Sequence, residues 1–394
     1  MQNIKIIIDI GNGFVKWVVV SEENSKYSIL LKDIVKTKWM RKGKILDYNE
    51  IAWCIAQVIT NFQKKLGSDF VDDIYISISH PDMYIARISE QKRIINNKID
   101  NNDIQHLYKV INDSSELANY EMIKTIPAFW LIDDNQKVID PMWMECKKIE
   151  LYADLFYLPK NFYHSLTELF DKLQINVSDI IPNILWSVEL AMDYDSKDLW
   201  SIIIDIGNNQ TSRAVYENGI SMWYGVLPIW WEDVTKDVSI GMQIDIKEAE
   251  TTKLEYATLV EEETTDKDTQ LDRAFLKEIV LARYEEIFDK INMKLEDMDK
   301  DGRLPWWVIL TGGANKIHWA TNLAKNIFKL SSSVAKDKHL HVWEIGNNLQ
   351  FTNILGVYHR IGKNNLTNNT WWGMKIKIWT WRATWVRDFI KDIF

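Results

Sequence analysis

Apolar positions along this chain follow two periods, and the switches between them mark its elements. Ile4–Ile8, broken only by Lys5, and Ile202-Ile203-Ile204 are β-branched runs that predict buried strands. Further strands are expected at 14–20, 27–32 and 74–79 in the first half, and at 201–205, 212–216 and 220–227 in the second. Helical spacing sets Ile51, Ile55, Val58, Ile59 and Phe62 on one face of a helix near 48–65. Leu276, Ile279, Val280, Ile287 and Ile291 do the same for a long helix at 270–297. Residues 81–157 change character: Asn101-Asn102-Asp103 starts a helix, and extended runs follow at 121–132 and 148–157, which predicts a small inserted α+β unit. Pro159-Lys160-Asn161 opens another helix, with a strand at 175–181 and a helix at 184–193 after it. The acidic, Thr-rich stretch Glu261–Asp272 reads as a solvated loop, and Lys363–Thr370 as a linker.

The two β-branched runs end alike, in Asp9-Ile10-Gly11-Asn12-Gly13 and in Asp205-Ile206-Gly207-Asn208-Asn209. A buried strand that ends in a carboxylate and a tight turn can offer backbone N–H groups to a phosphate while the acid faces a phosphate-bound Mg²⁺. The same device half a chain apart suggests two similar half-molecules closing on one nucleotide. A third turn, Leu310-Thr311-Gly312-Gly313-Ala314, follows the strand-like Val308-Ile309. The plainer reading of each acid is a turn cap; three such turns in this order favour the phosphate site.

Composition narrows the class. A net charge of −9 argues against nonspecific nucleic-acid binding, which needs a basic face. No apolar run approaches the ~20 residues that span a bilayer, and the first residues lack a signal-peptide pattern. Cys54 and Cys146 are the only cysteines, so neither a disulfide framework nor a zinc site is expected. Together these predict a reduced cytoplasmic protein. One balance is abnormal: 19 Trp stand against 15 Gly, where glycine ordinarily makes up about 7% of residues. Several of these tryptophans occupy places natural to a turn residue, as in Trp230-Trp231, Trp306-Trp307 and Trp371-Trp372.

Taken together the motifs resemble the actin-like ATP-binding fold and, within it, the FtsA family of bacterial cell division. Asp9 with Lys16 looks like the first phosphate loop, Asp205–Thr211 like the second, and Leu310–Ala314 like the adenosine loop. The narrower likeness rests on Asp140-Pro141-Met142-Trp143-Met144 with Ile149-Glu150, on Leu227-Pro228-Ile229-Trp230-Trp231 with Val234-Thr235, on Glu248-Ala249-Glu250 with Lys253, and on Leu304-Pro305. The resemblance implies an α/β, ribonuclease H-like, two-lobed fold with an inserted subdomain 1C in place of 1B. It divides the chain into 1A (1–80 and 158–198), 1C (81–157), 2A (199–235 and 304–362), 2B (236–303), a linker (363–375) and a C-terminal amphipathic helix (376–394).

The same resemblance implies ATP and Mg²⁺ as ligands. Asp9 and Asp205 would hold the metal through water, and Lys16 would neutralise the β- and γ-phosphates. Gly11, Asn12 and Gly13 would wrap one side of the phosphates, with Gly207, Asn208, Asn209 and Thr211 on the other. Gly312, Gly313 and Ala314 would lie against adenine, while Glu250 and Lys253 would reach the ribose and base. Departures weaken hydrolysis more than binding: Asn208, Asn209 and Gln210 replace small residues, Ser212 replaces an acid, and Asn183 stands where a Glu commonly orients the attacking water. The implied ATPase activity is therefore weak at most.

Val386, Phe389, Ile390, Ile393 and Phe394 form a narrow apolar stripe flanked by Arg382, Arg387 and Lys391. By resemblance this helix lies in the cytoplasmic face of the inner membrane at the division site. The implied partners are the C-terminal tail of FtsZ on 2B, with Arg283 a candidate contact, further copies of the chain in a filament through 81–157, and other division proteins. The alternatives are a PilM-like scaffold of type IV pilus assembly and a sugar-kinase-type phosphotransferase, for which no sugar-facing acid is found. Finally, Trp143, Trp200, Trp230, Trp231, Trp307 and Trp319 stand where the family carries glycine. That pattern is expected if UGA codons read as glycine in the source cell have been written as tryptophan.

Overall fold

The computed structural model describes residues 3–23, 26–37, 39–41, 43–66, 73–208, 210–229, 231–256, 267–298, 307–313, 319–335 and 354–356. They fall into two compact units, one drawn from 1–189, 219–222 and 353–394, the other from 190–218 and 223–352.

In the first unit β1 (Asn3–Ile10), β2 (Phe14–Glu23) and β3 (Lys26–Lys36) form an antiparallel meander. A short ribbon of β4 (Met40–Arg41) and β5 (Lys44–Ile45) leads into α1 (Tyr48–Leu66), which returns the chain to β6 (Asp73–Ile78), parallel to β1. Ile6, Ile7 and Ile8 are fully buried, so β1 carries the continuous apolar run of a strand covered on both faces. Next come β7 (Tyr84–Arg93), α2 (Asn101–Ser114), β8 (Tyr120–Ile132), β9 (Gln136–Val138) and β10 (Lys148–Pro159), a four-stranded sheet in the order β7-β10-β8-β9. Along β10, Ile149, Leu151, Ala153 and Leu155 alternate onto a face that packs on Ile104, Leu107 and Ile111 of α2. Asp100 caps α2 through a reciprocal bond with Asp103. The unit continues with α3 (Lys160–Lys172), β11 (Asp179–Pro182) and α4 (Asn183–Ala191); β11 adds to β6, giving β11-β6-β1-β2-β3.

The second unit opens with α5 (Tyr194–Asp198) and the meander β12 (Ser201–Ile206), β13 (Thr211–Glu217) and β14 (Ile220–Leu227). Three helices follow, α6 (Trp231–Met242), α7 (Ile246–Tyr256) and α8 (Lys267–Asp297), then β15 (Trp307–Thr311), α9 (Trp319–Phe328) and β16 (Ser332–Val334). The sheet order is β14-β13-β12-β15-β16, with β15 parallel to β12. Read from the last meander strand, both five-stranded sheets have one plan: three antiparallel strands in reverse chain order, then two parallel ones. The sequence-level expectation of a repeated half is met at the level of topology.

Some elements differ from the sequence-based reading. β7 was not expected as a strand. The helix α8 begins at Lys267, inside the stretch read as a solvated loop, because Lys-Asp-Thr-Gln-Leu-Asp supplies a first turn rather than a coil. Asp193, placed at the end of a helix by periodicity, instead caps α5, its carboxylate accepting from the Ser196 N–H at 2.9 Å. The 363–375 linker and the 376–394 helix lie outside the described residues. Among those described, no helix is long and apolar enough to cross a membrane.

His80, just past β6, is 1% exposed and packs on Phe162 at 4.5 Å. Its Nδ1 accepts from the Asp82 N–H at 3.1 Å, so Nε2 carries the proton and donates to the Gly43 carbonyl at 3.0 Å. Burial holds the imidazole below its ordinary pKa of 6.5 against the opposing pull of that carbonyl and of Asp82. Unfolding therefore takes up a proton at mildly acid pH, and the stability this neutral ring provides is complete above 6.5 and lost as pH falls below it. His80→Gln is expected to flatten the fall in unfolding midpoint between pH about 7 and 5; an unchanged slope would count against the assignment.

Candidate functional site

The β1–β2 hairpin brings the first set of candidate residues together. Its register sets Asp9 directly opposite Lys16, and Lys16 Nζ donates to Asp9 Oδ2 at 2.7 Å. Asp9 is 3% exposed, so the pair is desolvated. The turn closes through the Gly11 N–H to the Phe14 carbonyl at 3.0 Å, and a Cβ on Gly11 would stand 2.7 Å from that same oxygen. Neighbouring segments brace the loop: Trp39 Nε1 donates to the Gly11 carbonyl at 3.0 Å, the Thr37 N–H to the Gly13 carbonyl at 3.0 Å, and Thr37 Oγ1 to Glu50 of α1 at 3.1 Å.

The β12–β13 hairpin repeats this construction. Asp205, 5% exposed, pairs in register with Ser212, and the Gly207 N–H donates to the Gln210 carbonyl at 2.9 Å. Asp9 and Asp205 also hold equivalent places beside the parallel strand of their own sheets, opposite Ser77 and Thr311 respectively. Asn208 receives the Glu232 N–H at its carbonyl, and Thr211 Oγ1 donates to the Ile229 carbonyl at 2.9 Å, tying the turn to the start of α6. The asymmetry lies in the partner: a lysine faces the first acid, a serine the second.

Gly312 ends β15 beside this second turn. Its φ is +94°, and a Cβ there would lie 2.4 Å from the Ile206 carbonyl oxygen and 2.5 Å from Asp205 Oδ1. The third predicted turn thus presents bare backbone to the second carboxylate. Gly312→Ala is expected to destabilise this unit by about 1–3 kcal/mol, read as a lower denaturant midpoint; an unaltered midpoint would mean that the turn accepts a side chain. Gly313 follows, exposed, whereas Asn209 and Ala314 lie outside the described residues.

Glu250 and Lys253 are adjacent, but Lys253 is fully buried: Nζ lies 2.6 Å from Glu250 Oε2 and 2.6 Å from Thr235 Oγ1, and Thr235 donates to the same carboxylate at 2.5 Å. This network pins α7 to α6, and Glu250 is its more open member. Arg283 in α8 is held by Asp237 at 2.6 Å and by Glu286. Val386, Phe389, Ile390, Ile393 and Phe394 fall outside the described residues.

Two arginines escaped the sequence reading. Arg213, 5% exposed in β13, lies 4.6 Å under the Trp223 ring, and burial pushes its pKa down to about 9. An arginine inside Thr-Ser-Arg-Ala-Val-Tyr was the available signal. Arg87 of β7 grips Asp154 of β10 with two bonds, 2.7 and 2.8 Å, and donates to the Ser221 carbonyl at 2.6 Å.

Each hairpin, taken by itself, ends a buried strand in a carboxylate followed by a tight turn, a combination whose chemistry suits a phosphate with a divalent cation. The residue types fit Mg²⁺, since each acid stands near the end of a buried strand, and at Asp205 the neighbouring Gly312 brings no side chain against the carboxylate. Asn183 stands at the head of α4.

Comparison with known proteins agrees with this geometry. The profile of a family described as Cell division protein FtsA matches residues 202–356. The chain is 25% identical over 355 residues to the cell division protein FtsA of Bacillus subtilis (strain 168), covering 86% of this chain and 79% of that one. It is 24% identical to the Enterococcus hirae protein of the same name, covering 89% and 81%. Among solved structures it superposes on the PilM-PilN type IV pilus biogenesis complex with a TM-score of 0.64 at 14% identity, covering 91% and 98%. MreB5 of Spiroplasma citri bound to ADP gives 0.54 at 13%, covering 93% and 99%. The likeness to these structures is one of fold. The profile match, the relatives and the duplicated acidic hairpins agree: the chain is similar to the cell division protein FtsA of several bacteria and has the actin-like ATPase fold.

Proposed function

We propose that this chain binds ATP with Mg²⁺, assembles into filaments on the cytoplasmic face of the inner membrane, and anchors FtsZ filaments there during division. The observation that carries the reading is the repeated hairpin: Asp9 and Asp205 stand at equivalent places near the ends of equivalent strands, each followed by a tight turn, and Lys16 pairs with the first acid. Asp9 and Asp205 would hold the metal through water, and the turn N–H groups of 11–13 and 207–209 would receive the phosphates. Bound Mg²⁺ would supply charge neutralisation at those phosphates. Lys16 then has two uses, orienting Asp9 through their ion pair and facing phosphate oxygens when a nucleotide is bound. The nucleotide serves as a structural ligand, with slow turnover at most, because no proton acceptor stands at position 183.

Membrane attachment is assigned to residues 376–394. So short and nearly neutral a helix binds reversibly, and assembly of many copies supplies avidity. The α6–α8 region would receive the FtsZ tail. Co-sedimentation with anionic vesicles tests the tether: the full chain is expected to pellet in an ATP-dependent manner and to recruit an FtsZ tail peptide, whereas the Phe389→Glu/Ile390→Glu variant stays in the supernatant. Equal pelleting of both would refute the tether and favour a scaffold role like that of the PilM-type relatives.

A further inference from the structure

Nineteen tryptophans outnumber fifteen glycines, and the described tryptophans divide into two kinds. Some are built into the fold as indoles. Trp39, 1% exposed, donates its Nε1 proton to the Gly11 carbonyl and packs 6.0 Å from Phe162. Trp130, fully buried in β8, meets Tyr108 edge-on at 6.1 Å. Removing either ring would empty a packed core.

Trp143 and Trp200 are of the other kind, and in each the backbone does what L side chains oppose. Trp143 has φ +68° and is 63% exposed. It is the third residue of a turn closed by the Met144 N–H to the Pro141 carbonyl at 3.1 Å, and Met142 before it does not share the positive φ. A turn with positive φ at its third residue alone is of type II, which calls for glycine there. Trp200 has φ +63° and is the first residue beyond Leu199, the C-cap of α5, before β12 begins at Ser201. That is the left-handed terminating position glycine fills in many helices.

Left-handed backbone alone does not demand glycine. Asn97, Asp133, Asp134 and Asn218 adopt it with the short polar side chains that tolerate it, and Gln174, Gln243 and Lys329 end α3, α6 and α9 with unbranched, exposed chains. Among the described residues with positive φ, 143 and 200 are the only aromatic ones. A type II turn that calls for glycine and a helix end that elsewhere carries only unbranched, exposed chains both hold the residue whose number is inflated, while Trp39 and Trp130 use their indoles in the core.

We propose that positions 143 and 200 are glycine in the protein as its own cell makes it, specified by UGA codons, whereas 39 and 130 are tryptophan specified by UGG. Peptide mass spectrometry of the protein isolated from its source cell tests this directly. Glycine masses are expected at 143 and 200 with tryptophan masses at 39 and 130. Tryptophan at 143 and 200, or glycine at 39 or 130, would overturn the proposal. The backbone argument is tested separately on the recombinant full chain. Trp143→Gly/Trp200→Gly is expected to raise the thermal midpoint above that of the parent, and Trp39→Gly to lower it. A midpoint unchanged or lowered by the double change would remove the strain on which the assignment rests.

Discussion

Replacing Asp9 with alanine is expected to lower the stability of the first unit by about 3–5 kcal/mol and to abolish nucleotide binding. The stability loss follows from what remains. Lys16 keeps only 14% of its side chain exposed, so its ammonium would be stranded in the hairpin without the carboxylate 2.7 Å away. Two roles overlap at this acid, and a second substitution separates them. In Asp9→Ala/Lys16→Met neither charge remains, and exchanging a buried pair for apolar groups is often close to neutral, so folding should largely recover. Nucleotide binding should not, because the carboxylate proposed to face the metal and the ammonium beside it are both gone. Denaturant midpoints with nucleotide titrations on the same samples give both readouts. Recovery of binding in the double variant would mean that Asp9 acts only through folding.

Arg87→Ala should cost the first unit a similar amount, about 3–5 kcal/mol, although Arg87 belongs to no nucleotide motif. Asp154 is 3% exposed and takes two bonds from the guanidinium and a third from Ser221 Oγ at 2.8 Å. The same guanidinium fastens the Ser221 carbonyl, so its loss strands a carboxylate and a backbone acceptor together. Arg87→Lys keeps the charge but not the planar fork and should fall between. A loss below about 1 kcal/mol, the range of exposed pairs, would show that water reaches Asp154.

How much of this was legible depended on burial. The strands ending in Asp9 and Asp205 were plain because every residue from Ile202 to Ile206 is buried and Ile6 to Ile8 are too, so selection for apolar, β-branched residues left no ambiguity. The turns after them were legible for a local reason: Gly11 and Gly207 sit where the chain folds back on itself within four residues. β7 was missed because it is an edge strand with no fully buried residue. Its sequence, Tyr-Ile-Ala-Arg-Ile-Ser-Glu-Gln-Lys-Arg, alternates weakly and ends in charges, as edges facing water do. Arg87 was hidden with it, since its importance comes from Asp154, 67 residues away in sequence, which no local pattern reveals. The Glu250–Lys253 pair was given its ligand-facing role by the family resemblance, with helical spacing placing both on one face, and only packing shows that Lys253 is buried against Thr235.

The proposed function requires both acidic hairpins to serve a single nucleotide. Calorimetric titration of the full chain with ATP and Mg²⁺, repeated on Asp9→Asn, Asp205→Asn and the double variant, decides this most directly. One nucleotide per chain is predicted, with each single change weakening affinity roughly tenfold or more, the worth of a charge-assisted contact. Two nucleotides per chain, or an affinity indifferent to either substitution, would contradict it.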